Sequence, residues 1–575
     1  MIVPPPTVSR VLTELVEAAS AAAGLGAASA EPAIPTGNPQ HGDYQSNHAF
    51  RMAKAAGKNP RAVAEAVKAA LPPHPAVRRV EVAGPGFLNF FLDDAWLVER
   101  LIAQVQDPRG GVPQTGAGRT VVIDYSSPNV AKRMHVGHMR STLIGNALDR
   151  LYRGAGWTVI ADNHIGDWGT QFGKLMVGWR SWLDAEEFEA DPIGELERIY
   201  VLFSARATPE LEEQARAETA KLQRGDPENR ALWTRFIEVS LAEFNHVYER
   251  LGVRFDEVLG ESAYNDALPG LVEDLLLRGV AKESDDAVVI KFDEAAGKGL
   301  KDTVLVIQKA DGAFLYGTTD LATIQYRMNR WAPERAVYVT DTRQQLHFKQ
   351  VFHVAAQVFP GCPELIHTWF GMLKLPEGMM STRTGNVIRL VDLLDEGVRR
   401  ARAVVDEKSP QLPEAQRAEI AEAVGLGAIR YADLSQNPQS DVTFEWDKML
   451  SMDGNTAPYL MYSYARCRSL QAKGGVEAPS VAELAISHPI ERELVTQLLR
   501  TPELVGVALE TSRPNLLCDH LFATANAINR FYHELPVLTA DTPALRASRL
   551  ALIEASAAVL RRGLDLLGVP TLERM

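Results

Sequence analysis

Cysteine is scarce. The chain runs to 575 residues and holds only Cys362, Cys467 and Cys518. They lie far apart and form no C-x-x-C pair. A disulfide framework and a cysteine-held zinc site are therefore disfavoured, and a reducing cytoplasm fits. Long apolar runs are missing too: no uncharged stretch reaches the roughly 20 residues that span a bilayer. The opening MIVPPPTVSRVLTELVEAAS has no basic n-region, and Glu14 and Glu17 break its apolar positions. It does not read as a signal peptide. A basic excess is also absent, since the net charge is −13. Taken alone, that argues against a nonspecific nucleic-acid binder. A specific one stays open, because charges more than about 8–10 Å apart are screened in salt and phosphate contacts depend on local basic surface.

What is present is core-forming material. Hydrophobic residues make up 46% and charged residues 23%, which excludes a disordered chain. The length calls for three or more domains. The first block, residues 1–110, begins with Val11, Leu12, Leu15 and Val16 at helical spacing. A Pro-, Gly- and Asn-rich loop follows, then the helical RAVAEAVKAAL and the strand-like RRVEVAGPGFLNFFL. DPRGGVPQTGAGR has the composition of a linker. The second block, 119–390, opens with TVVIDYSSPN, a strand ending in a turn. HVGHMRSTLIGNALDRLYRGAG reads as a helix, with Met139, Leu143, Ala147 and Leu151 in register and Gly154 and Gly156 at its close. WTVIADNHIGDWG is a further strand and turn. Strand–helix–strand of this length implies a parallel pair with a crossover, the unit of doubly wound sheets. Charged helical sequence at about 180–260 reads as an insertion, after which the strand-like AVVIKF, TVLVIQK and RAVYVTD return. The third block, 391–575, is expected to be all helical, with Leu550, Ile553, Ala557, Leu560, Leu564 and Leu567 forming an apolar stripe.

Two motifs carry chemistry. His135-Val136-Gly137-His138 lies where a strand end meets a helix start, the place where open parallel sheets bind ligands and helix amides favour phosphate. Gly137 leaves room for a base or phosphate near the backbone. Both imidazoles can donate to phosphate oxygens as charge builds. The alternative is two ordinary helix-start histidines; zinc lacks a third ligand. The second motif, Met380-Ser381-Thr382-Arg383-Thr384-Gly385-Asn386, is a short polar segment with one cation. It can close over a triphosphate, or it can be a plain surface loop.

Together with their surroundings these motifs resemble the class I aminoacyl-tRNA synthetases, and the match to the arginyl-tRNA synthetases is close. The words that carry it are SSPNVAKRMHVGHMRSTLIGNAL, DNHIGDWGTQFG, LYGTTDLATI, QQLHFKQVF, MSTRTGN, DGNTAPYLMYSYARCRS and the terminal LERM. The resemblance spans nearly the whole chain. It implies an α/β fold class: a Rossmann-type parallel-sheet catalytic domain with a connective insertion, a small α+β N-terminal domain that contacts tRNA, and an all-α C-terminal helical bundle that binds the anticodon. It implies ATP-dependent activation of arginine to an adenylate, then transfer to the 3′-terminal ribose of tRNA(Arg), with tRNA needed for the first step. Magnesium is expected on the triphosphate of ATP rather than in a carboxylate cage; no metal ligands and no tightly bound cofactor are implied. One departure stands out. The usual Lys-Met-Ser-Lys-Ser loop reads Met379, Met380, Ser381, Thr382 and Arg383 here, without either lysine. Positive charge over the departing pyrophosphate is still required, and Lys132, three residues before His135, is the expected source, with Ser381 and Arg383. A solvated loop lysine is the competing reading.

A guanidinium has five donors and no acceptor, so its pocket needs a carboxylate in a fixed plane, with a hydroxyl or aromatic face nearby. Tyr316 and Asp320, four apart where a strand enters a helix, offer this. Asp320 can equally be a helix-start residue bonding free amides. By resemblance, Tyr316 and Asp320 match the family's side-chain recognition pair. Ser127, Asn129 and Gln344 match residues around the α-amino and carboxylate groups, and His138 contacts both substrates. Asp124 stands where the family usually has a glutamate.

For tRNA, the candidates are Phe87 and Asn89 at the elbow, and Tyr459, Tyr462, Arg466 and the terminal Met575 near the anticodon. Phe87 reads equally as a core strand residue, and core-facing tyrosines remain open for part of the second group. Arg399, Arg400 and Arg402 read as a solvated helix face. Family habit implies a monomer. Two rivals are a small-molecule adenylyltransferase on the same sheet, which the first and third blocks argue against, and an inactive RNA-binding paralogue, which intact His135, His138, Asn129 and Asp320 argue against.

Overall fold

Val121, Val122 and Ile123 are fully buried, as an inner parallel strand requires. They lie in the main sheet of a computed structural model that describes residues 6–26, 30–297, 299–374, 388–475 and 480–575. Contacts divide the chain into two compact units. One is Gly116–Arg153 with Trp157–Leu450; the other is Met1–Thr115 with Gly154–Gly156 and Ser451–Met575.

The first unit holds a five-stranded sheet, parallel throughout. Its strands are β1 (Thr120–Asp124), β2 (Thr158–Asn163), β3 (Glu257–Val258), β4 (Arg335–Asp341) and β5 (Glu364–Phe370), in the order β5-β4-β1-β2-β3. The chain winds one way through β1, β2 and β3, then returns to lay β4 and β5 on the other side of β1. That reversal opens a crevice at the carboxyl ends of β1 and β4. Helix α1 (Val136–Gly154) joins β1 to β2. Its predicted stripe, Met139, Leu143, Ala147 and Leu151, is fully buried.

The insertion forms helices Ala185–Ala190, Pro192–Ala205, Pro209–Gln223 and Pro227–Leu251. Three of them start with a proline just inside an oxygen-bearing cap: Asp191, Thr208 and Asp226 each accept a backbone N–H in the first turn. This is the arrangement that a missing N–H and a preset φ favour. The helices bury Phe188, Ile193, Leu196, Ile199, Leu222 and Phe236 against Phe172, Leu175 and Met176.

Of the three strand-like runs after the insertion, only RAVYVTD joins the parallel sheet. Ala287–Lys291 instead pairs antiparallel with Val304–Gln308 on one side and Lys282–Ser284 on the other, in a separate sheet. The reason is packing. Val288, Ile290, Leu305 and Ile307 point one way and bury against Leu268, Leu271 and Leu275 and against Leu321 and Ile324. The last two residues belong to helix α2 (Tyr316–Trp331), which this small sheet feeds. Helix α3 (Gln345–Val358) follows β4.

The helical pair Leu390–Lys408 and Glu414–Leu434 belongs to the same unit. Arg140 of α1 pairs with Asp433 at 2.7 Å, and both side chains are 1% exposed. Arg430 donates to Asn146 at 2.8 Å.

In the second unit, an antiparallel sheet of Ile34–Pro35, Tyr44–Ser46, Phe87–Leu92 and Val77–Ala83 packs with helices from both ends of the chain. Glu503 accepts the Ser9 N–H at 2.7 Å and the Tyr44 hydroxyl at 2.9 Å. Arg492 reaches Asp43 and Asp94, each at 2.6 Å. Among the described residues, no helix is long and apolar enough to cross a membrane.

Candidate active site

The chain leaves β1 through a strained loop. Ser126, Ser127 and Ala131 take positive φ values of 73°, 49° and 61°, which cost of order 1 kcal/mol or more each outside glycine. Bonds on every side hold them. Ser126 takes a bond from its N–H to Ser141 at 2.9 Å, and its hydroxyl meets Thr142 at 2.7 Å and Tyr248 at 2.8 Å. The Ser127 N–H reaches Asn163 at 3.1 Å and its hydroxyl donates to Asp124 at 3.0 Å. Ala131 N–H bonds Ser240 at 2.9 Å. Asn129 is exposed and pairs with Gly166 in a parallel bridge. The loop thus presents Ser127 and Asn129 at the crevice.

The two histidines follow at the N-terminus of α1. The ring of His138 accepts the His135 N–H on Nδ1 at 3.1 Å, and His135 accepts the Gly137 N–H on Nδ1 at 3.0 Å. A ring nitrogen that accepts carries no proton, which assigns the proton to Nε2 in both neutral rings. Burial, then the neighbouring His135, pushes His138 down to about 3. Burial, then Lys132 and Arg343, lowers His135. Both are therefore uncharged at neutral pH, each with one Nε2–H. The rings lie 4.0 Å apart. Gly137 leaves room, as expected, but that room is filled by His135: a Cβ there would come within 2.6 Å of its ring.

Lys132 lies 4.8 Å from the ring of Tyr200, in the insertion, and its charge still reaches His135. Arg343 does the same from the end of β4 while paired to Asp341 at 2.5 Å. Sequence reasoning overlooked Arg343. Met380, Ser381 and Arg383 lie outside the described residues. Just beyond them, the carbonyl of Ile388 takes the Val136 N–H at 3.2 Å, and the Leu390 N–H bonds the Met134 carbonyl at 2.9 Å.

Tyr316 opens α2 and is exposed; Asp320 lies one turn on. Asp320 caps no helix amide. Its Oδ2 meets Nε2 of His347 on α3 at 2.5 Å, so the helix-start alternative fails. A third acidic or phenolic partner appears that the sequence did not announce. Burial, then the charges of Asp320 and Asp167, pushes the Glu261 carboxyl up to about 8. Burial, then Glu261 and Asp320, raises the Tyr316 phenol. Asp167 fixes the turn that carries Glu261 by accepting from the Ser262 N–H at 2.8 Å and the Ser262 hydroxyl at 2.6 Å. The Glu261 N–H bonds the Ile165 carbonyl at 3.2 Å, but among the described residues its carboxyl has no hydrogen-bond or ion-pair partner. Gln344 is exposed at the start of α3, just past β4.

Beneath the crevice, Arg327 of α2 joins the ends of β1 and β2. Its Nη2 is 2.7 Å from both Asp124 and Asp162, and it is 1% exposed. Asp124 thus spends one oxygen on Arg327 and the other on Ser127.

In the second unit, Phe87 is half-buried with its ring 4.9 Å from Phe50. Asn89 is buried and accepts from Gln45 at 3.0 Å, so it faces into the sheet. Tyr464 is also inward, bonded to Glu573 at 2.6 Å. Glu573 in turn pairs with Arg468 at 2.8 Å, which ties down the tail that ends at half-exposed Met575. Tyr462 stays exposed. The Arg466 guanidinium lies 4.8 Å from its ring and 5.4 Å from that of Tyr532. The Tyr459 hydroxyl donates to Asn526 at 2.7 Å and receives from Asn529 at 2.7 Å. Tyr532, Asn526 and Asn529 come from a different helix and were not foreseen. Arg399 and Arg402 are paired along their own helix face with Glu396 and Asp406.

Three family models cover the chain: "Arginyl tRNA synthetase N terminal domain" at residues 10–92, "tRNA synthetases class I (R), catalytic domain" at 101–446, and "DALR anticodon binding domain" at 460–575. The chain is 47% identical over 545 residues to an arginine–tRNA ligase of Fusobacterium nucleatum, covering 94% of each. It is 43% identical over 556 residues to one of Pseudomonas syringae, covering 95% of each. The arginyl-tRNA synthetase structure of Thermus thermophilus superposes with a TM-score of 0.84 at 27% identity, covering 99% of this chain and 100% of that one. A neutral histidine pair at the switch point of a doubly wound sheet is thus found in a chain that belongs to the arginyl-tRNA synthetases of class I.

Proposed function

We propose that the chain is an arginine–tRNA ligase that uses ATP with its magnesium to make arginyl-adenylate, releases pyrophosphate, and passes arginine to the 3′-terminal ribose of tRNA(Arg). The observation that carries this is the acid pair Glu261 and Asp320 beside the Tyr316 phenol. Among the described residues, the charges that act on Glu261 are those of two other carboxylates, Asp320 and Asp167. Such a pocket is completed by a planar cation with several donors.

The carboxylate of arginine attacks the α-phosphate while Ser127, Asn129 and Gln344 hold the amino-acid end. The Nε2–H groups of His135 and His138 donate to phosphate oxygens. Being neutral and already oriented, they need no reorganisation as charge develops. The amides at the start of α1 add to this. Lys132, Arg343, Ser381 and Arg383 supply charge and donors over the departing pyrophosphate, and Met380 belongs to the ATP-binding set. No side chain needs to act as a nucleophile; positioning and charge stabilisation account for the rate. With tRNA bound, Tyr459, Tyr462, Arg466 and Met575 meet the anticodon end and Phe87 the elbow. The enzyme works as a monomer in the cytoplasm. Charging of tRNA by the purified chain, assayed with each amino acid in turn, tests the reading: arginine alone should be attached, and only with ATP.

A further inference from the structure

The mate of Asp320 within the protein is His347, and this contact has no part in the reading above. His347 is the third residue of α3. Its Nε2 lies 2.5 Å from Oδ2 of Asp320, and the two side chains are 25% and 19% exposed, shielded enough for the bond to matter. The imidazole leans on its neighbour Phe348, with ring centroids 5.4 Å apart. Oδ1 of Asp320 makes no bond among the described residues.

The torsion that turns an aspartate carboxylate is broad. Left alone, the group presents its oxygens over a range of planes. One donor on Oδ2 removes that freedom and still leaves most of the roughly four lone-pair sites open. A planar fork gains from a partner whose plane is fixed, whereas a point-charge ammonium does not. We infer that His347 is a positioning residue: it locks the Asp320 carboxylate in the plane that receives the guanidinium and so sharpens selection of arginine over lysine. The inference rests on the reading of Asp320 as the guanidinium partner.

The test compares His347→Ala, His347→Gln and Asp320→Asn by arginine and ATP kinetics in tRNA charging, with lysine as competitive inhibitor. His347→Ala should raise the arginine KM roughly 10- to 100-fold, the range of one charge-assisted bond. The ATP KM and kcat should stay within about threefold, and lysine inhibition should change little. Glutamine places an amide N–H near the Nε2 position, so His347→Gln should restore most of the arginine KM. An unchanged arginine KM in His347→Ala, equal losses for arginine and ATP, or no recovery in His347→Gln would each overturn the inference. If Asp320→Asn itself left the arginine KM unchanged, the fault would lie with the reading of Asp320 instead.

Discussion

His138 carries its proton on Nε2 because its Nδ1 accepts the backbone N–H of His135, 3.1 Å away. The same motif therefore sets ring position, tautomer and charge together. Since His138 sits at about 3, well below its ordinary 6.5, it does not titrate in the working range. The rate of arginine activation should show no His138 limb between about pH 5.5 and 8. Loss of this donor in His138→Ala should lower kcat by about 100- to 1000-fold. For stability the sign runs the other way from a paired histidine. Below 6.5 the unfolded chain takes up a proton that the folded one refuses, so this group weakens the fold as pH falls from 6.5 toward 3. An activity limb that disappears in a His138→Asn variant would contradict the assignment.

If arginine binds beside Glu261, as proposed, its binding should release a proton. Its carboxyl is raised to about 8 from an ordinary 4.5. A guanidinium beside it favours the ionised form. Arginine affinity should thus climb with pH up to about 8 and level off above it. In calorimetry at pH 7, using buffers of different ionisation heat, up to about one proton should leave per arginine bound. Glu261→Gln should abolish the release. Without ligand, the raised value means that the folded state keeps a proton the unfolded chain has shed, so this group lowers stability as pH rises from 4.5 to 8.

Lys132 lies over the ring of Tyr200, and its charge acts on His135. Lys132→Ala should slow arginine-dependent pyrophosphate exchange by about 100-fold while leaving the arginine KM near its original value. Arg343→Ala should add to that loss. Intact exchange in Lys132→Ala would leave the charge to Arg343 and Arg383.

Arg327 is a structural keystone with a catalytic address. Removing it strands Asp124 and Asp162 at the ends of two neighbouring strands. Arg327→Met should cost about 3–5 kcal/mol, read as a lower urea midpoint. It should also free Ser127, which Asp124 holds. A midpoint within error of the parent would show that the buried triad contributes nothing.

Local pattern announced a good part of this. The stripe of α1, the helical character of the insertion and the strand-to-helix entry at Tyr316 all follow from residues within one or two turns of each other. Glu261 could not be read in the same way. It sits in a short turn held by Asp167, and its meaning comes from Asp320, which only the tertiary fold brings near. His347 lay inside a recognised segment, QQLHFKQVF, yet its partner is on another helix. Asn89 alternates like a surface residue, but Gln45 from the adjacent strand satisfies it inside the sheet. AVVIKF and TVLVIQK read as strands and are strands. Which sheet they join depends on the distant Leu268–Leu275 surface that covers them. Arg140 with Asp433, and Arg430 with Asn146, are likewise pairs that no local period can reveal.

The most direct measurement is the arginine KM in tRNA charging for the parent chain and Asp320→Asn, taken side by side with the ATP KM. Loss of one partly shielded charge, 19% exposed, should raise the arginine KM by about 100-fold or more and leave the ATP KM within about threefold. An arginine KM that does not move would place the guanidinium elsewhere and contradict the account.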